Sequence, residues 1–165
     1  MTKMEHVMDT VIHKTYILQV GKLLVDHLLF TGDEINAYEL GKRLVVHDDS
    51  KVASDEIECF TKIKYQGNMK DPNQRMSENI RKNIELHWKH NRHHPEHFSD
   101  YHNMTDVDIM EMCCDWYARS KQNKTDFMSF VYTRQDNRFK FDEEFFKKVC
   151  YYCELIQELD EKDDH

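Results

Sequence analysis

Glycine and proline are nearly missing from this chain, with 4 Gly and 2 Pro in 165 residues. The turns of a many-stranded sheet draw on these residues for positive φ or a preset φ. An all-β sandwich is therefore excluded, and long uninterrupted helices are the alternative. At this length one domain is the default. Such a chain buries roughly 70% of its unfolded surface, enough for a core without disulfide staples. Hydrophobic residues are 39% and charged residues 33%, the balance of a globular protein.

Residues 4–30 read as one long helix, with Val7, Val11, Ile17, Val20, Leu24 and Leu28 at helical spacing. Thr31-Gly32-Asp33 ends it. A second helix covers 34–47, with Ile35, Tyr38, Leu44 and Val45 on its apolar side. Ser54 suits the N-cap of a third helix to about residue 64, and 67–74 reads as a loop. A fourth helix runs from about 76 to 90 with Ile80, Ile84 and His87 on one stripe. Pro95 makes 91–104 irregular. Thr105 caps a fifth helix to Ser120, helped by Asp106 and Asp108 in its first turn. Residues 125–135 are helical, and Asp142 caps a last helix. The expectation is an all-α, single-domain bundle of six to seven helices over residues 1–160, with 161–165 as a frayed acidic tail.

With 23 Lys plus Arg against 31 Asp plus Glu, the net charge is −8. That charge argues against general nucleic-acid binding and against anionic membranes. No apolar run approaches the ~20 residues of a membrane span, and the first residues lack the apolar core of a secretory signal. The 5 cysteines form no framework spacing, so a reduced, cytoplasmic setting is expected. Cys113-Cys114 reads as core packing, and the CxxC of Cys150 and Cys153 lies inside a helix with no second pair. The aromatic-rich region from Phe127 to Phe146 reads as core and a homodimer contact.

Eleven histidines are the compositional oddity, and six of them (His87, His90, His93, His94, His97, His102) fall within sixteen residues. His13 faces inward, at helical spacing with Ile17 and Val20. Asp115 lies mid-helix among Met112, Cys113, Cys114, Trp116 and Tyr117. A buried carboxylate there costs several kcal/mol unless paired or metal-bound. Together His13, His47-Asp48, His87, His93-His94 and Asp115 distribute nitrogen and oxygen ligands over several helices, as bundles do when they build internal metal sites. A local zinc site of His90 with His94 is a second arrangement of the same cluster. The thiolate-free set suits Zn, Mn, Fe, Co or Ni, as one or two ions. Along a continuous helix His87 and His94 would stand about 10 Å apart. Sharing one ion requires the chain to fold back near Asn91 and Pro95; otherwise the two histidines serve two ions.

The order His … His-Asp … His … His … Asp resembles the HD-domain superfamily, all-α metalloproteins that are mostly phosphohydrolases, with a minority of di-iron oxygenases. More narrowly, the chain resembles an uncharacterised HD-like family of bacteria and phages. The segments that carry the likeness are His13-Lys14, His47-Asp48-Asp49-Ser50-Lys51 followed by Glu56, the stretch from His87 to Pro95, and Asp115-Trp116-Tyr117-Ala118-Arg119-Ser120. The resemblance implies a metal-dependent phosphohydrolase for a nucleotide or related small phosphate ester. His13, His47, Asp48, His87, His94 and Asp115 would be ligands, and Asp48 and Lys51 catalytic. Lys51, Asn91, Arg92 and His93 would bind substrate, with Lys89 a further phosphate-binding candidate. For Lys51 a surface ion pair with Asp55 or Glu56 is the plainer role. The alternatives are a metal-stapled interaction protein without catalysis and a di-iron oxygenase.

Overall fold

The computed structural model describes residues 2–53, 56–66 and 78–163, and the regular elements among them are all helical. They are α1 (Lys3–Phe30), α2 (Glu34–Val46), α3 (Ile57–Gln66), α4 (Glu78–His90), α5 (Asp106–Asn123), α6 (Phe127–Arg134) and α7 (Glu143–Asp163). Tight 3-10 turns occupy Asp49–Val52, Pro95–His97 and Tyr101–Asn103, and α6 runs into a π turn over Gln135–Phe139. The fold is all-α. Ser54, the loop at 67–74 and residue 76 lie outside the described residues.

Local chemistry sets the ends. Thr2 and Glu5 form a reciprocal capping box on α1, at 3.2 and 2.7 Å, and Thr105 and Asp108 do the same on α5 at 3.3 and 2.7 Å. Asp142 Oδ1 accepts from the Phe145 N–H at 2.9 Å to start α7. Gly32, at φ 85°, makes the reversal between α1 and α2 that a side chain would strain. The described part of the acidic run is helical through Asp163, with 161–163 exposed.

The long α1 packs against α2, α5 and α7. Its buried stripe is His6, Thr10, His13, Ile17, Val20, Gly21, Leu24 and Leu28: polar in its first half, apolar in its second. Val11, assigned to the stripe by periodicity, is 50% exposed. The row through Ile17 and Val20 extends back to His13, Thr10 and His6, and Val11 lies off it.

On α2 only Leu44 of the four residues expected on the apolar side is buried. Ile35, Tyr38 and Val45 are exposed, while Ala37, Leu40 and Leu44 are buried. Gly21 decides this, because a Cβ there would stand 2.3 Å from Leu44 Cδ1. The two helices touch through that missing side chain, which fixes which side of α2 meets α1. Buried Ile109, Met110, Met112, Cys113 and Cys114 of α5 join Val149, Cys153 and Ile156 of α7 in the core. All five cysteines are free. Among the described residues no helix is long and apolar enough to cross a membrane.

Candidate metal centre

The centre begins where α2 stops. His47 takes φ −52° and ψ 128° and leaves the helix, and Asp48 sits in the left-handed region at φ 58°. On a continuous helix neighbouring side chains diverge by about 100°. This break turns both inward, with His47 Nε2 3.4 Å from Asp48 Oδ2. A non-glycine residue held at positive φ stores strain that surrounding contacts must offset.

Two groups of side chains meet at Asp48. In one, His13, His47, Asp48 and Asp115 each bring a ligand atom within 4.8 Å of the others. In the second, Asp48, His87, His93 and His94 do the same. Asp48 Oδ1 is 3.5 Å from His87 Nε2 and 3.8 Å from His93 Nε2. Helix α4 ends at His90, so the chain doubles back and brings His94 Nε2 to 3.0 Å from His87 Nε2. That is roughly the separation of two nitrogens on one ion at ~2.0–2.1 Å from each.

Carboxylates behind the imidazoles orient them. Glu111 Oε1 accepts from His47 Nδ1 at 2.9 Å and faces His93 Nδ1 at 3.3 Å. Buried Glu56 Oε2 accepts from His87 Nδ1 at 2.9 Å. An ionised carboxylate only accepts, so each ring carries its proton on Nδ1 and turns Nε2 to the centre. Asn91 Nδ2 donates to Ser50 Oγ at 2.9 Å, and Ser50 donates to Glu56 at 3.0 Å. Arg43 holds Asp108 at 2.6 Å and also pairs with Glu111. Asp108, Glu111 and Asp115 recur on α5 at helical spacing, so one face of that helix supplies carboxylates to the whole assembly.

Buried polar atoms are nearly always satisfied, yet His47 Nε2, Asp48 Oδ1 and His93 Nε2 are buried without a hydrogen-bond partner. All three belong to the groups that meet at Asp48, and a cation is the partner they fit. Burial opposes charge on Asp48, but Lys51, His47 and His93 hold its carboxyl well below the usual range. Burial likewise opposes a charged His47 ring, and Asp48, Glu111 and Asp115 outweigh it, holding the pKa up at about 10. Burial, then Lys51, lowers His87 to about 4, and burial with His93 and His87 lowers His94 well below the ordinary value. His87 and His94 are neutral, the form a metal requires, whereas His47 would give up its Nε2 proton on taking an ion. The residues present can therefore hold a metal ion.

A family model matches residues 2–155; it is DUF5662, described as a family of unknown function. The chain belongs to that family. No curated protein and no solved structure matches it.

The structure brings together His13, His47, Asp48, His87, His94 and Asp115. His93, which the sequence offered both as a ligand beside His94 and as a substrate contact, lies at 1% exposure in the group that could hold a metal, with its Nδ1 turned to Glu111. Arg92, also expected at the substrate, is engaged with Asp108 through Nε at 3.1 Å and Nη2 at 3.0 Å. Asn91 orients His87 and Ser50 rather than lining either opening to the centre. Lys51 Nζ pairs with Asp48, and Asp55, one partner expected for it, lies outside the described residues. The local His90–His94 site does not form: His90 turns to Glu56 at 3.0 Å. Sequence reasoning missed Glu111, though its i, i+4 spacing to Asp115 on a buried helix was a signal. It also missed Arg134 and Arg138.

Two openings reach the centre. One, of about 180 Å³, is lined by His6, His13, Asp48, Lys51, Phe60 and Arg119. The other, of about 160 Å³, has His94 and Asp115 in its wall with Lys51, Arg119, Arg134 and Arg138.

Proposed function

We propose that the chain is a metal-dependent phosphohydrolase acting on a nucleotide or related small phosphate ester. The observation that carries this reading is the position of Asp48, one carboxylate shared by two His/Asp groups. Paired ions about 3.5–4 Å apart clamp phosphoryl groups in many hydrolases. The ligand order along the chain, which resembles that of the HD-domain superfamily, points the same way.

Divalent ions held there would supply charge neutralisation and a water of lowered pKa. In the hydrolysis, the water oxygen bonds to phosphorus while the ester oxygen departs with a proton. Asp48 holds the centre together through both carboxylate oxygens. Lys51, paired with Asp48 and lining both openings, meets a phosphate entering by either.

The test is a panel of nucleoside mono-, di- and triphosphates and cyclic dinucleotides, offered with Mn, Co, Ni, Zn and Fe in turn. Turnover with at least one metal, abolished by chelation and restored by that metal, is the expected result. Failure with every pair leaves the interaction-protein reading in its place, and oxygen consumption by an iron-loaded, coloured protein would favour the oxygenase.

A further inference from the structure

The protein as a whole carries a net charge of −8, yet four cations surround the second opening to the metal centre: Lys51, Arg119, Arg134 and Arg138. Three have carboxylates at hand. Lys51 pairs with Asp48, Arg119 Nη1 lies 3.8 Å from Asp9, and Arg138 donates to Glu96 at 2.9 and 2.6 Å. Among the described residues Arg134 makes no ion pair. Its guanidinium lies 4.7 Å over the Phe130 ring, and Arg138 lies 4.7 Å over Phe139, which stacks on Trp116.

Arg134 and Arg138 stand four positions apart at the end of α6, where the chain runs into the π turn over Gln135–Phe139, and both line the same cavity. Arg134 and Arg138 line one cavity, so their like charges repel each other. With burial, Arg138 is a cause of a lowered Arg134 pKa. Such a pair is stable when an anion sits between its members, and the planar fork of Arg suits phosphate.

We propose that Arg134 and Arg138 form an anion subsite beside the metal centre that takes a second, non-reacting phosphate of the substrate. The substrate class is then esters with two neighbouring phosphate groups. The reacting phosphate would meet the metal end of the cavity, walled by His94 and Asp115, and the second phosphate Arg134. The opening, about 160 Å³, is below the roughly 300–1,000 Å³ of sites that enclose a whole organic ligand. The phosphates enter and the rest of the ester stays outside. This rests on the phosphohydrolase reading for the reaction, while the subsite itself is tested by binding.

Calorimetric titration of the metal-loaded protein with inorganic phosphate and with pyrophosphate tests it, with bound metal counted before and after. Wild type is expected to bind pyrophosphate at least about tenfold more tightly than phosphate, the low end for one charged hydrogen bond. Arg134→Gln should lose most of that margin while keeping its metal and its phosphate affinity, and Arg134→Lys should recover part of it. Equal affinity for the two anions in wild type, or a margin that survives Arg134→Gln, overturns the subsite. Should Arg134→Gln not fold, the wild-type comparison and Arg134→Lys still decide. If an Arg134-dependent margin appears but no phosphate ester is hydrolysed, the subsite stands and the hydrolase reading falls. Hydrolysis without the margin gives the reverse.

Discussion

His13 Nε2 and Asp115 Oδ1 lie 2.7 Å apart although 102 residues separate them in the chain. The contact ties the first helix to the fifth, with His13 lining one opening to the centre and Asp115 the other. It also places side by side two atoms of the four-residue group that includes His47 and Asp48. A cation entering this group would exchange that hydrogen bond for two ligand bonds.

The shared position of Asp48 makes metal stoichiometry diagnostic. Protein purified without chelator is expected to carry up to two transition-metal ions per chain by elemental analysis. Asp115→Asn, which touches one group, should lose about one ion. Asp48→Asn, which keeps a side chain tolerant of positive φ, should lose both. Equal metal content in all three proteins would remove Asp48 and Asp115 from the ligands.

Removing the metal should also lower the melting temperature. Ligand binding to the native state alone adds RT ln(1 + [L]/Kd), about 4 kcal/mol at a thousandfold excess over Kd. For a chain of this size each kcal/mol moves the midpoint by ~2–4 °C. A fall of roughly 8–16 °C on chelation is expected, measured by calorimetry and reversed by adding metal back.

Glu111 touches no ion in this reading but fixes the tautomers of His47 and His93. Glu111→Gln should leave the helical circular dichroism unchanged and weaken metal affinity about 10- to 100-fold, the usual effect of losing an orienting partner. Competition with a chromophoric chelator measures it, and wild-type affinity would show that the two rings are held by other means.

Lys51 separates turnover from metal holding. Lys51→Ala should retain bound metal and lose activity by about 10- to 150-fold, the equivalent of one charged hydrogen bond at ~1.5–3 kcal/mol. Loss of metal together with activity would make Lys51 a support for Asp48 rather than a phosphate contact.

Two glycines in adjacent helices should respond in opposite directions to alanine. At Gly41 nothing lies within 4 Å of an added Cβ, so Gly41→Ala gains up to ~1 kcal/mol of helix propensity. At Gly21 the Cβ strikes buried Leu44, and overpacking typically costs ~1–3 kcal/mol. Denaturant midpoints should rise for the first and fall for the second.

His102 donates to Asp100 at 2.7 Å and to Asp142, the α7 cap, at 2.5 Å. Those hydrogen bonds, first to Asp100, raise its pKa above 6.5. The stabilisation is complete below the unfolded value and disappears as pH rises through the raised one. Both carboxylates are held below their ordinary 3.8, Asp100 mainly by the His102 backbone and Asp142 by that of Phe145, so their share is lost in acid. The stability difference between wild type and His102→Gln should therefore be largest between about pH 4 and 6.5, and shrink above it. A difference independent of pH would contradict the link.

Scarce glycine and proline, helical periodicity and cap residues such as Thr105 and Asp142 specify an all-α chain with its main boundaries, because these are local effects between residues a few positions apart. The same locality makes His13, His47-Asp48, His87 and Asp115 readable as ligands: buried polar residues at core positions demand a partner wherever the chain goes. Which face of α2 is buried was not local. Its apolar residues lie on both sides, and only the close approach of Gly21 to Leu44 selects Leu40 and Leu44 over Ile35 and Tyr38. The place of His93 among the candidate ligands depends on Glu111, eighteen residues away on α5, and the break at Asp48 depends on His and Lys contacts that hold a left-handed residue in place. The i, i+4 spacing of Arg134 and Arg138 was local, but that they face His94 and Asp115 across one cavity depends on how α6 packs beside α5. Tertiary structure decided these because each is a competition between alternatives of similar local energy, settled by a contact that forms only once the helices have packed.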